Sequence, residues 1–300
     1  MRVGRLLTAT TALGLGVVGY SYVEATRRFV VREFTVPVLP AGSVPIRVLH
    51  LSDIHLVPSQ TPKREWLRSL AGLRPDLVVD TGDNLAHRAA VGPLAQDLGE
   101  LLDVPGVFVF GSNDYFAPHL KSPTKYLMGG TGVDRGGEWE REKDLPYEQL
   151  RAELSRGGWL DLNNTGGELT VNGTRIAFRG VDDPHLRYDE LDDTPADPTA
   201  DLRIGVAHAP YLRVLDSFAA TGHDLILAGH THGGQLQIPG YGALVTNCDL
   251  DTSRANGLHT HRIDGHDPVW MHVSAGCGTS PYTPFRICCR PEATVLTLTG

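Results

Sequence analysis

The sequence predicts an α/β fold, one domain with two packed sheets, and three observations carry that reading. Apolar runs of strand length alternate with helix-like segments between residues 46 and 110, a β-α-β-α-β order that implies a largely parallel sheet with right-handed crossovers. A second set of strand-like runs occupies the C-terminal half. No linker separates the halves, and a chain of 300 residues is at the upper edge of what one core serves.

Taken in order, residues 46–51, 77–79 and 107–110 are the strands of the first half. The helices between them span 64–73, where Trp66, Leu67, Leu70 and Leu73 keep helical spacing, and 94–102. Residues 118–141 are rich in glycine and charge with no apolar period, too long for an ordinary loop and readable as disorder or as a functional lid. A short helix at 147–156 follows, then a hairpin of 168–171 and 174–178 about Asn172-Gly173, a pair that supplies the positive φ angles of a tight turn. Strands at 202–207 and 225–228 flank a helix at 211–220, and late strands lie at 269–273 and 294–298.

Composition narrows the function classes. At 41% hydrophobic and 21% charged the chain is not disordered. A net charge of −8 argues against nucleic acid as a partner, which would want a concentrated basic surface. The 34 glycines and 20 prolines show no repeat period, and four cysteines are too few for a disulfide scaffold. Cys288 and Cys289 are adjacent and poorly placed to bridge each other; a Cys248–Cys277 pair stays open.

The N-terminus stands apart. Arg2 and Arg5 precede an uncharged run from Leu6 to Val23, which as a helix would extend about 27 Å, just short of a hydrocarbon core. A buried core helix, a cleaved signal peptide ending at the small residues near Ala25, and an uncleaved anchor compete; the run exceeds a usual signal core, which favours the anchor. The expected organisation is therefore an N-terminal anchor or signal segment over 1–26, a linker over 27–45 (residues 32–45 reading as extended or as an edge strand) and the main domain over 46–300. The expected location is membrane-anchored with the domain outside the cytoplasm, or secreted if the segment is cleaved.

The chemistry sits where strands stop. Ser52-Asp53-Ile54-His55 follows the first strand, Asp80-Thr81-Gly82-Asp83-Asn84 the second, and Gly111-Ser112-Asn113-Asp114 the third. His208 and Gly229-His230-Thr231-His232-Gly233-Gly234 follow two strands of the second half. Ligands of open α/β sheets gather at the carboxyl ends of strands, and residues i and i+2 of extended chain share a face, which suits Asp53 with His55 and His230 with His232 to one ion. Each element alone reads as a turn, a cap or a packed histidine; five at one edge, in order, point to a metal site.

These motifs resemble the five ordered motifs of the calcineurin-like metallophosphoesterases, over roughly residues 46–298. The segments Val273-Ser274-Ala275-Gly276 and Arg290-Pro291-Glu292 look like its exported or membrane-associated branch, typified by the bacterial YkuE phosphoesterase. The resemblance implies a four-layer αββα sandwich of two packed mixed sheets, preceded here by an N-terminal apolar helix, and two metal ions. It implies Asp53, His55 and His232 on the first ion, Asp83 bridging, and Asn113, His208 and His230 on the second. Mixed nitrogen and oxygen ligands suit manganese, iron or zinc, and the implied reaction is attack of a metal-bridging hydroxide on a phosphate ester or pyrophosphate.

One motif departs from the family's Gly-Asn-His-acid. An ungapped match puts Ser112 at the ligand asparagine and Asn113 at the catalytic histidine, so either Ser112 or Asn113 is the ligand; an amide oxygen coordinates better than a neutral hydroxyl and favours Asn113. Asn113 and Asp114 stand at the catalytic position, yet a neutral amide is no general acid. Leaving groups needing little protonation, or a histidine from a loop (His119 or His185), are the expected compensations. Asp182-Asp183-Pro184-His185 reads as a turn or a substrate-side loop, and Lys121, Lys125 and Arg135 as solvated or phosphate-contacting. His50 reads as packing, and His259, His261 and His266 lack zinc spacing. The expected function is a metal-dependent hydrolase of phosphate esters or pyrophosphates, with a phospholipid or lipid-linked substrate favoured by the anchor; the alternative is a member that binds metal or phosphate without turnover.

Overall fold

A computed structural model describes residues 2–119 and 142–300, with side chains from Gly14 onward. Two six-stranded mixed sheets face each other. The first is ordered β1-β14-β2-β3-β4-β5, from β1 (Val30–Pro37), β14 (Glu292–Thr299), β2 (Ile46–Leu51), β3 (Leu77–Asp80), β4 (Gly106–Phe108) and β5 (Leu160–Asp161). The second is ordered β12-β13-β9-β8-β7-β6, from β12 (Gly257–His261), β13 (Val269–Val273), β9 (Leu225–Ala228), β8 (Leu202–Val206), β7 (Thr174–Gly180) and β6 (Thr165–Val171). A two-stranded ribbon, β10 (Gln237–Ile238) with β11 (Gly242–Ala243), stands outside both.

The near-continuous apolar strands follow from burial on both faces. Along β2, Ile46 and Val48 face the inter-sheet core while Leu49 and Leu51 face helices. Leu77 and Val79 against Val78, and Val107 and Val109 against Phe108 and Phe110, alternate in the same way. The outer layer on the first sheet is α2 (Thr61–Ser69), α3 (Val91–Leu98) and α5 (Tyr147–Arg156), through Leu67, Leu94, Leu98, Leu150 and Leu154, with α4 (Ser112–Tyr115) a single turn between the last two. On the second sheet, α6 (Leu212–Ala220) sets Val214, Leu215 and Phe218 on Ile226, Met271 and Val273. The layers are thus helix, sheet, sheet, helix.

Differences from the sequence reading have local causes. The 94–102 helix is cut at Gly99, whose φ of 47° ends α3 and starts a tighter turn over Gly99–Asp103. The Asn172-Gly173 hairpin is as expected, with φ of 49° and 81°, but its strands run longer, to Thr165 and Gly180. Residues 27–45, expected as linker or edge strand, contain β1, which pairs in parallel with β14 from Val30↔Glu292 to Pro37↔Thr299. Strand β12 was not foreseen: His259 and His261 sit in it, paired with β13.

The N-terminal helix α1 spans Arg2–Arg27, and its last turns pack on the domain: Ser21, Glu24 and Ala25 are buried, and just beyond it Phe29 stacks on Trp66 at 4.8 Å. Among the described residues no helix is long and apolar enough to cross a membrane, so the spanning helix expected from 1–26 has no counterpart there. Most of the expected lid, residues 120–141 with Lys121, Lys125 and Arg135, lies outside the described residues. All four cysteines are free thiols, so the Cys248–Cys277 pair left open above does not form.

Candidate metal centre

The loops after β2, β3, β4, β8 and β9 converge at the carboxyl ends of both sheets. The first two run side by side: Asp53 N–H donates to Gly82 O at 2.8 Å, His55 N–H to Asp83 O at 2.9 Å, and Leu56 N–H to Asn84 O at 2.8 Å. Asp53, His55, Asp83, His230 and His232 have φ of 50°, 46°, 58°, 70° and 50°. Non-glycine residues rarely adopt this left-handed region, and it concentrates at functional sites. Four of these five, Asp53, His55, Asp83 and His232, enter the ligand groups described next. Glycines permit the approach: a Cβ on Gly229 would collide with Ser52 and Asp53, and one on Gly111 with the Asp83 carboxylate and the His208 ring.

Two groups of side chains result, Asp53 with His55 and His232, and Asp53 with Asp83 and His208, each with ligand atoms within 4.8 Å of one another. In the first, His55 Nε2 and His232 Nε2 are 3.3 Å apart and lie 3.9 and 3.5 Å from Asp53 Oδ1. Asp83 faces both groups, with Oδ2 at 3.5 Å from His55 Nε2 and Oδ1 at 3.6 Å from His208 Nε2. His208 Nδ1 lies 2.8 Å from Thr81 O; a carbonyl only accepts, so this nitrogen carries a proton, and Nε2 is the atom left to meet a cation once the proton that the neighbouring carboxylates favour there is displaced. His230 Nδ1 is 3.3 Å from His208 Nε2.

A metal ion fits this donor set. Asp53 Oδ2 accepts from Ser52 Oγ at 2.6 Å and His230 N–H at 2.9 Å, whereas the buried Oδ1 has no hydrogen-bond partner. A buried carboxylate oxygen left this way costs more than a lost hydrogen bond unless a cation meets it. Burial opposes ionisation of Asp53, but His232, His208 and His55 outweigh it and hold the carboxyl well below its usual range. Burial pushes His55 and His230 well below the usual imidazole value and His232 to about 4, leaving them neutral, as ligands must be. His208 differs: burial lowers it, but Asp83, Asp183 and Asp53 together raise it to about 9.

Of the third-strand motif, Asn113 borders the site through its backbone, its N–H donating to Asp83 Oδ1 at 2.6 Å while its side-chain amide donates to Phe116 O at 2.9 Å. Asp114, placed at the catalytic position by sequence, is fully buried and braces the loops instead. Its oxygens accept the N–H groups of Asp83 and Asn84 at 2.8 Å and of Gly111 at 2.9 Å, while burial and the Asp83 carboxylate push its own carboxyl well above the usual range. The Asp182-Asp183-Pro184-His185 loop does reach the centre. The His185 ring lies 4.7 Å from that of His230, with Nδ1 at 3.0 Å from Tyr211 Oη, and the buried Asp183 is pushed to about 7, burial leading and His208 opposing. His119 is exposed. His50 is buried against His272 (2.9 Å) and Thr81 (3.0 Å), the packing role expected. His259 and His261 are engaged apart from each other, by Asn256 O and Asp216.

Sequence reasoning missed Arg286. This fully buried guanidinium donates to Ala275 O at 2.6 Å, Gly278 O at 2.7 Å and Arg290 O at 3.3 Å, with Nη2 3.4 Å from His232 Nδ1. Arg286 thus ties the 275–278 loop together beside the ring of His232. Lys63 does likewise for His55, donating to Ile54 O at 2.7 Å and His55 O at 3.3 Å, with burial lowering its ammonium to about 7.

Residues 46–234 match the family model of the calcineurin-like phosphoesterases. The chain belongs to that family. It is a metallophosphoesterase, and it is similar over most of its length to others: 27% identical over 291 residues to an uncharacterized metallophosphoesterase of Aquifex aeolicus, covering 94% of this chain and 95% of the relative. It is 24% identical over 294 residues to the uncharacterized metallophosphoesterase YkuE of Bacillus subtilis, covering 93% and 90%. A transmembrane protein with a metallophosphoesterase domain from Bos taurus is 28% identical over 228 residues, 74% of this chain and 48% of that protein.

Proposed function

We propose that this metallophosphoesterase is a dinuclear hydrolase of phosphodiester or pyrophosphate bonds in an amphiphilic substrate, working at a membrane surface. The observation that carries the dinuclear reading is the pair of clusters sharing Asp53, its Oδ1 buried and unpartnered, with Asp83 turned to a histidine of each. In this reading Asp53, His55 and His232 hold one ion, Asp83 bridges, and His208, His230 and Asn113 or Ser112 hold the other. Bound ions of this kind supply Lewis acidity, neutralising phosphoryl oxygens and making water acidic enough to attack at neutral pH. The chain's own part is to fix geometry. Ser52 and the His230 amide orient Asp53, Thr81 sets the tautomer of His208, and Asp114 holds the Asp83 turn.

Asn113 donates no proton at neutral pH, which favours a leaving group that departs as a stable anion, such as a phosphate or phenolate. The membrane setting is supported by the uncharged run Leu6 to Val23 and by the bovine relative's description as transmembrane.

The test is turnover of bis(p-nitrophenyl) phosphate by protein stripped with chelator and reloaded with manganese. Activity returning with metal, at two ions per chain by elemental analysis, is the expected result. Two ions without turnover on esters, pyrophosphates or phospholipids would instead establish a binding protein, the reading that Asn113 at the acid position favours. Within the same assay, Asn113→Ala should lower occupancy of the second ion and Ser112→Ala should leave it; the reverse pattern assigns the ligand to Ser112.

A further inference from the structure

The segment between His232 and the next charged residue is unusual. From Gln235 to Asn247 there is no charged side chain, and the ribbon β10–β11 it forms exposes Leu236, Ile238, Tyr241, Leu244 and Val245, with Tyr241 at 74%. A patch of this kind on a soluble surface marks an interaction site. It is also the rim of the metal centre: it leaves three residues after His232 and returns at Asn247, whose carbonyl lies 3.4 Å from His230 Nε2.

The patch continues into two other segments. Gln237 N–H donates to Ile287 O at 2.9 Å, Ile287 N–H to Gln235 O at 3.0 Å, and Arg286 N–H to Ser21 O at 3.0 Å. One stretch of chain therefore joins the ribbon, the turn with exposed Tyr282 and Phe285, and α1, whose Leu15, Val18, Tyr22 and Val23 are exposed. No carboxylate lies in Gln235–Asn247 or between Gly276 and Cys289.

We propose that this three-part face docks the enzyme laterally onto a lipid bilayer, with the ribbon in the headgroup layer and the metal centre opening beside it. The inference rests on the membrane reading above and names the surface that realises it. Three features favour lipid over a second protein. The apolar groups are carried on a narrow ribbon, a turn and a helix. Tyr20, Tyr22, Tyr241 and Tyr282 supply the amphipathic rings that settle at membrane interfaces. The face is continuous with the uncharged run from Leu6 and closes on Arg27 and on Arg28, the latter paired with Glu24 at 3.1 Å, so that its binding is carried by apolar area and interfacial rings. Docking of this face does not require α1 to cross.

The experiment uses the full chain and vesicles of phosphatidylcholine with phosphatidylglycerol. Ile238→Asp/Tyr241→Asp/Leu244→Asp should lower vesicle partition about tenfold, since binding scales with buried apolar area, while turnover of soluble bis(p-nitrophenyl) phosphate stays at the parent rate. Because α1 itself contributes to binding, Tyr241→Trp is read separately: lipids brominated along the acyl chain should quench it. Equal partition of parent and variant, an unquenched indole, or a parent dimer that the triple variant converts to monomer would overturn the proposal, the last by assigning the face to a second copy. Failure of the hydrolase reading shows instead as absent manganese-dependent turnover with partition intact.

Discussion

Asp83→Ala is expected to abolish most turnover, lowering kcat on a chromogenic phosphodiester on the order of a thousandfold, about 4 kcal/mol of barrier. The carboxylate does three things at once. It sets Oδ2 3.5 Å from His55, sets Oδ1 3.6 Å from His208, and accepts the Asn113 N–H at 2.6 Å. Alanine loosens both ion positions and removes the group that most raises His208. Elemental analysis should find less than one ion per chain. A variant with parent kcat and two ions would show that Asp83 bridges nothing.

Arg286→Ala should carry the largest stability effect of any single change away from the ligands. It strips hydrogen bonds from the Ala275, Gly278 and Arg290 carbonyls inside a closed environment, and each buried group so orphaned costs about 1–3 kcal/mol. A total near 4 kcal/mol corresponds to a Tm lower by about 6 °C for a chain of this size. Since the same loop lies beside the His232 ring, metal affinity should fall about 10- to 100-fold, the range seen when a ligand's supporting hydrogen bond is lost. Arg286→Lys separates the two effects: a point charge restores charge but not the fork that spans several carbonyls, so stability should recover in part and metal affinity little. Unchanged Tm in both variants would refute the bracing role.

How much of this was legible follows from where each signal resides. Strands buried on both faces, such as Val48-Leu49 and Leu77-Val78-Val79, announce themselves as apolar runs, and ligand-type residues at their ends announce the site. β12 was obscured because it lies on an edge of the second sheet, half-exposed, whereas β1, at the edge of the first with half of its side chains exposed, showed only as an extended or edge segment. The left-handed turns at Asp53 and His55 leave no trace because the residues are not glycine. Asp114 looked catalytic because adjacency in sequence says nothing of direction; its oxygens turn to the backbone. Arg286 did leave a signal: it is the one charge between Gly276 and Cys289, and a lone charge in an apolar, glycine-bearing stretch is a candidate for buried bracing. The 182–185 loop showed its chemistry in sequence, while its nearness to His230 is a property of the tertiary fold.

The place of β14 has a consequence for biosynthesis. This last strand lies inside the first sheet, antiparallel to β2 along Thr294↔His50 to Leu298↔Ile46 and parallel to β1. During translation β2 through β5 can pair with one another, but the free side of β2 stays an open edge, a template for mispairing, until residue 299 emerges. β1 has no neighbour at all before then. Pairings of such long sequence separation also form late and slowly. Until β14 emerges the nascent chain therefore keeps an unfinished sheet beneath the Asp53 and His55 turns, an interval in which a chaperone would meet it incompletely folded.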